Sequence, residues 1–188
     1  MVPRRLLGVV DLLARAMAYV SGALFLLVSL FITADVIGRH FGISSAVTDE
    51  MGGYVLAVGG MWALAHTLRT GAHVRIDILL PYLPRLVRSV LDYVAVLVMA
   101  LFASAVAVST WRLTIESFTT DARAMSFLRT PLFVPQGLTA LGFTALTVEA
   151  VVMLVVGLVE SARMGRLASL EGVEAPGLAE QMAPSGLS

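Results

Sequence analysis

Cysteine and lysine are both absent from this chain. Without cysteine there can be no disulfide, no thiolate nucleophile and no Cys-ligated metal. All thirteen basic residues are arginines, and thirteen acids balance them to a net charge of zero. Nothing in that balance favours nucleic acid as a partner. Charge itself is scarce, at 14% of residues, where soluble domains carry about 25%. Apolar residues fill the gap: they make up 58% of 188 residues, against about 45–50% in soluble domains, and the mean hydropathy is +0.89. Such an excess needs lipid as its solvent. The length leaves room for four spans of about 20 residues with short connections, and none for a sizeable soluble domain.

Four long apolar runs stand between polar breaks, and each is expected to be a transmembrane helix. They cover about 12–34, 46–68, 86–110 and 132–159. The first is interrupted only by Arg15, near enough to its start to snorkel to the headgroups. The second opens on Asp49 and Glu50, acids that suit the positive end of a helix dipole. The third has Arg88 and Asp92 at its entrance and Trp111 at its exit. The fourth is long for an untilted span, and Pro135 marks its interfacial first turn. The first run is too long for the core of a secretory signal, and no small-x-small cleavage site follows it, so it is read as a retained helix.

Arginine placement orients the chain. With the N-terminus cytoplasmic, the inside carries eight arginines (4, 5, 69, 75, 85, 88, 163, 166) and the outside four (39, 112, 123, 129). Both termini are therefore expected inside. Residues 1–160 form the four-helix membrane domain on this reading. Residues 161–188, rich in small and acidic residues with Pro176 and Pro184, read as a disordered cytoplasmic tail. No internal repeat of the kind that builds a complete transporter is present.

Few residues carry recognisable chemistry. Gly52, Gly59, Ala63 and His66 share one face of the second helix, and Gly53, Ala57 and Gly60 form a neighbouring small stripe. Small residues let helix backbones approach closely in lipid. The stripes serve packing inside a four-helix bundle, docking on another membrane subunit, or one each. Glu149 lies deep in the fourth run, where an ionisable group is costly. It shares its face with Gly142, Ala145 and Met153, so it is expected to point at another helix as an intramembrane polar contact. The alternative is a proton carrier. Of the three histidines only His66 falls inside a run, while His40 and His73 are expected in loops, so a facing pair for haem is missing. No His/Glu spacing suggests zinc. No nucleophile–base arrangement suggests an enzyme, and no cofactor is expected.

The most patterned segment joins runs two and three, Arg69-Thr70-Gly71-Ala72-His73-Val74-Arg75-Ile76-Asp77 and on to Leu83-Pro84. It is too polar to span and too apolar for a free loop. It should lie in the cytoplasmic interface, and its two prolines, Pro81 and Pro84, forbid one long helix.

An ordered series runs through this half of the chain. Arg39 and Phe41 follow the first run, Asp49 and Glu50 open the second, and Trp62 and Ala63 sit within it. The Arg69–Asp77 stretch and Leu83-Pro84 then close the series. In this order the chain resembles the small, DctQ-like membrane subunit of tripartite ATP-independent periplasmic (TRAP) transporters. That family shows an arginine–aromatic pair, an acid at the second helix entrance, a mid-helix tryptophan and an R-x-G-x-H-(I/V)-x-(I/V)-D stretch before leucine-proline. The match by motif covers about 35–84 and assigns nothing to the third and fourth helices, Glu149 included.

The resemblance implies a part of a binding-protein-dependent, sodium-coupled importer of organic acids in a bacterial inner membrane. Its partners would be a large membrane subunit, which it braces, a periplasmic substrate-binding protein and the lipid bilayer. Under that reading Arg39 pairs with Asp49 or Glu50 near the periplasmic face. Trp62 packs in a helix interface. Arg69, His73, Arg75 and Asp77 organise the cytoplasmic segment against the large subunit or the headgroups. Two other readings remain open: a stand-alone multidrug-type exporter depending on Glu149, and the membrane anchor of a respiratory enzyme.

Overall fold

The computed structural model describes residues 4–43, 47–69, 84–126 and 128–164. They form four helices: α1 (Arg4–His40), α2 (Thr48–Arg69), α3 (Arg85–Thr119) and α4 (Phe133–Met164). Among the described residues there is no strand, only an isolated bridge between Arg123 and Pro131.

Three of the helices are long and apolar enough to cross a membrane: Leu12–His40, Leu86–Thr119 and Phe133–Arg163, each with a mean hydropathy of 2.2. The second apolar run is helical too, but α2 does not join them. It spends four positions on glycine and others on Tyr54, Trp62, His66 and its two entrance acids. Two helices also outrun their apolar stretches. α1 continues through Arg39 to His40, so His40 is helical and not in a loop. α3 continues nine residues past Thr110, taking Trp111, Arg112 and Glu116 with it. Nothing from Trp111 to Thr119 is a glycine or proline, so the helix has no reason to stop where apolarity does.

The ends are set locally. At the end of α1, Gly42 takes φ +79. The Ile43 amide then reaches the Gly38 carbonyl at 2.9 Å and the Gly42 amide reaches Arg39 at 3.1 Å. This is the Schellman pattern, which satisfies carbonyls the helix leaves orphaned. α3 ends the same way, with Asp121 at φ 47 and the Ala122 amide on the Ser117 carbonyl at 3.0 Å. Asp tolerates this left-handed conformation better than most side chains. Pro135 lies in the first turn of α4, where a missing N–H leaves no intrahelical bond unmade.

The helices pack as an open row in the order α1, α2, α4, α3, with only marginal contact between other pairs. A closed four-helix bundle would have given each helix two full neighbours. Here α1 leans on α2 alone. Lipid supplies no hydrophobic force to close the ring, so helices meet only where their surfaces fit. The fit is made by small residues. An added Cβ at Gly59 would lie 3.0 Å from the Phe25 ring and 3.3 Å from Ser21 Oγ. One at Gly142 would lie 2.8 Å from Met61 Cβ and 3.0 Å from Trp62. The core, where the end of α2 meets α3 and α4, gathers Leu68, Val96, Ala100, Ala103, Leu146, Ala150 and Met153. Elsewhere large apolar residues such as Leu26, Leu30, Leu101 and Phe102 face outward, as lipid contact requires.

Gly142→Ala should therefore push α2 from α4 and destabilise the chain by about 1–3 kcal/mol, the usual cost of overpacking. Gly53→Ala, with nothing within 4 Å of its added methyl, should be neutral or slightly stabilising. Thermal unfolding of the two variants in the same detergent checks the contrast.

Candidate functional site

α2 and α4 run parallel, and both begin at the end of the row where α1 and α3 finish. Three of the expected site residues, Arg39, Asp49 and Glu50, gather there. Glu50 lies in the first turn of α2, ahead of the apolar stretch that starts at Met51. The Tyr54 hydroxyl, one turn on, donates to Glu50 Oε1 at 2.8 Å. The carboxylate faces the hairpin between α3 and α4. Chiefly through the Ser126 hydroxyl, and then through Tyr54, the Thr130 hydroxyl and the Leu128 backbone amide, it is held below its ordinary pKa of 4.5 despite partial desolvation. Glu50 Oε2 and Ser126 Oγ are both shielded from solvent and make no closer bond.

The hairpin is closed on itself. The Ala124 amide donates to the Thr130 carbonyl at 2.9 Å, Leu132 to Ala122 at 3.0 Å and Arg129 to Ser126 at 3.2 Å. Arg129 sits at φ 47, a conformation costly for a residue with a Cβ. Phe118 and Phe133 meet edge to face beneath it, with centroids 5.2 Å apart. Together these contacts close the connection between α3 and α4 on itself, with Glu50 of α2 facing it.

Arg39 does not pair with Asp49 or Glu50. Its partner is Asp35, one turn earlier on α1, with Nε 2.9 Å and Nη2 2.8 Å from Oδ2. Helix continuity through residue 39 decides this, because it places the two side chains on neighbouring turns of one face. The Asp35 side chain is 4% exposed and turned into the row, while Arg39 is half-exposed. Asp49 is exposed, and no ion-pair partner for it exists among the described residues.

Trp62 lies in the α2–α4 interface, where its indole N–H donates to the Leu138 carbonyl at 2.8 Å. On the other side of α2 the Ser21 hydroxyl donates to the Gly59 carbonyl. Between α3 and α4, Trp111 donates to Thr144 Oγ1 at 3.0 Å, and Tyr93 and Ser161 share a hydrogen bond of 3.0 Å. Each helix pair thus carries a polar clasp in addition to its small-residue contact. Glu149 is 1% exposed. Gly142, seven residues earlier and on the same face, meets α2, and Met153, one turn later, belongs to the core. Arg69 ends α2. His73, Arg75 and Asp77 lie outside the described residues. Among the described residues no three His, Cys, Asp or Glu side chains come together to hold a metal.

Sequence reasoning missed the hairpin. It took 111–131 as an outside loop without a signature and left Tyr54, Ser126 and Thr130 unremarked. Pro131 and the short polar residues around it were the available signal.

Glu50→Gln should loosen the hairpin, visible as severalfold faster amide hydrogen exchange over 121–131 at pH 7. The sign of the pH dependence follows from the lowered pKa. The contribution of Glu50 is complete above 4.5 and is lost as pH falls through its lower value in the folded chain. Wild type should therefore match the variant only in acid below that value.

Residues 28–160 match the family described as tripartite ATP-independent periplasmic transporters, DctQ component. No curated protein and no solved structure was found to match the chain. The matched stretch takes in the last third of α1, all of α2, α3 and the hairpin, and nearly all of α4. It extends the likeness well beyond the motif series that ends at Pro84. The chain belongs to the DctQ family: it is a multi-pass membrane protein, the small membrane component of a TRAP transporter, and not an enzyme.

Proposed function

We propose that this subunit spans a bacterial inner membrane four times, with both termini cytoplasmic, and braces the large transport subunit of a sodium-coupled importer of organic acids. The substrate is delivered by a soluble periplasmic binding protein. α2 is the fourth span. Its stretch from Met51 to Leu68 is about 27 Å long at 1.5 Å per residue, close to the hydrocarbon thickness of about 30 Å. Flanked by α1 and α4, it meets less lipid than the other helices and tolerates its glycines. The arginine bias of eight against four sets the orientation and puts the Glu50 end at the periplasmic face. Arg69, His73, Arg75 and Asp77 then lie on the cytoplasmic side, against the large subunit or the headgroups.

The observation that carries the bracing role is the openness of the row. The second small stripe of α2 faces no other helix. Gly53 and Gly60 have nothing within 4 Å of an added methyl, and Leu56 beside them is 67% exposed. A partner backbone could approach this face closely. Gly52 and Gly59, by contrast, are used inside the chain against Ile32, Phe25 and Ser21. The two stripes therefore divide between internal packing and an outside partner.

Affinity purification of the tagged chain from native membranes in mild detergent tests the reading. A large polytopic protein should co-elute in fixed ratio. Glu50→Lys should lower uptake while insertion and co-elution persist. Glu149→Gln, at an enclosed position, should leave most uptake intact. A chain that elutes alone and still moves a compound in liposomes, with transport lost in Glu149→Gln, would replace the proposal by a stand-alone exporter.

A further inference from the structure

The outer side of the α3–α4 hairpin encloses a hollow of about 520 Å³, open to the surroundings and lined by Arg123, Ala124, Met125, Ser126 and Arg129. Three features make it more than a loop crevice. Its walls are fixed, by the 123–131 bridge and by the hairpin hydrogen bonds. Two guanidinium groups flank it. Arg123 reaches both carboxylate oxygens of the exposed Asp121 at a long 3.3 Å, and Arg129 has no acidic partner among the described residues. Arg129 is also held at φ 47, and a strained backbone at a fixed loop is a feature of sites built to hold something. Finally, Met125 in its lining is fully exposed, and Leu128, next to Arg129 in the hairpin, is 41% exposed.

Two arginines beside an exposed methionine and leucine match an amphiphile with a phosphate at its head. Arginine binds phosphate oxygens through paired N–H donors. The position matches as well. The apolar helix that begins directly below the hairpin, Phe133–Arg163, has 31 residues, or about 46 Å at 1.5 Å per residue. Tilted by about 40° it still outruns a hydrocarbon core of about 30 Å. Its ends, and the hairpin on its first turn, therefore stand in the headgroup layer. We infer that the Arg123–Arg129 hollow binds the phosphate of an anionic lipid headgroup, with Met125 and Leu128 against the start of the acyl chains. Basic pockets beside membrane helices recognise such headgroups. The inference holds for either orientation of the chain in the membrane.

The test uses the full-length protein in mild detergent, with phosphatidylglycerol or phosphatidylcholine added, read by thermal unfolding and by lipid retention in native mass spectrometry. Phosphatidylglycerol should raise the Tm and remain bound, and phosphatidylcholine should do so severalfold less. Arg129→Gln and the Arg123→Gln/Arg129→Gln pair should lose the difference. Arg112→Gln, exposed on α3 but outside the hollow, should keep it. If the double variant folds poorly, the single Arg129→Gln decides. Equal effects of the two lipids, or a phosphatidylglycerol preference that survives Arg129→Gln, would overturn the inference. So would inorganic phosphate alone reproducing the shift, which would assign the hollow to a free anion. Variants that keep the lipid preference but no longer retain the soluble binding protein on the assembled complex would reassign it to protein docking.

Discussion

Water would press the apolar faces of these helices together, but lipid does not. Cohesion must then come from close van der Waals contact, which needs backbones to approach without a side chain in the way. Two glycines supply this. Gly59 admits Ser21 and Phe25 of α1, and Gly142 admits Met61 and Trp62 of α2. Each close approach brings a donor within reach of a carbonyl on the facing helix, Ser21 to Gly59 and Trp62 to Leu138. Packing and hydrogen bonding are therefore one event at each interface. α2 takes part in both, offering Gly59 to α1 and Met61 and Trp62 to Gly142 of α4. Alanine extends the pattern across α3 and α4, where Ala103, Ala140 and Ala150 are completely buried.

A row held at its middle leaves its ends to be fixed otherwise. At the Glu50 end this is done by backbone geometry. Schellman turns at Gly42 and Asp121 stop α1 and α3 cleanly, and the hairpin returns at once into α4. Glu50 then ties that hairpin to α2. A carboxylate at a helix N-terminus is favoured by the dipole already, and here the facing hairpin hydroxyls favour its charged form as well. The acid that sequence marked as a helix start thus serves as a strut between two halves of the row. Fixing this end preorganises whatever it presents to lipid or to a partner.

Much of this was legible from residue order. Composition gave an all-helical membrane chain, and the ordered motifs from Arg39 to Pro84 gave the family that the match over 28–160 establishes. The two glycine stripes were visible, but which of them meets α1 and which stays open was not, because spacing groups residues on a face without saying what the face meets. What escaped did so for definite reasons. Apolarity marks where lipid lies, not where a helix ends, so α3 was cut short at Thr110 and His40 was placed in a loop. The Arg39 partner was sought across the loop because the helix was thought to have ended; once it continues, Asp35 is simply nearer. The hairpin escaped because its closure depends on a left-handed arginine and a tertiary contact to Glu50, neither of which leaves a periodic trace. Closure into a bundle was assumed from helix count, although count says nothing about which pairs of surfaces fit.

Glu149 shows how the same constraint limits functional inference. An ionisable group within a hydrophobic helix draws attention because its desolvation is expensive. In this row, however, it sits on the strip of α4 that also carries Gly142, the point of closest approach to α2, and Met153 of the core. A carrier residue must exchange its proton with water on each side in turn, which needs a path that opens. A side chain 1% exposed, two turns from the closest approach of α4 to α2, has no such path in this arrangement. The open surfaces of the chain lie elsewhere, on the Gly53–Gly60 face of α2 and around the hairpin. On the proposed reading, movement of solute belongs with a partner on those surfaces, and Glu149 stays within the frame that positions them.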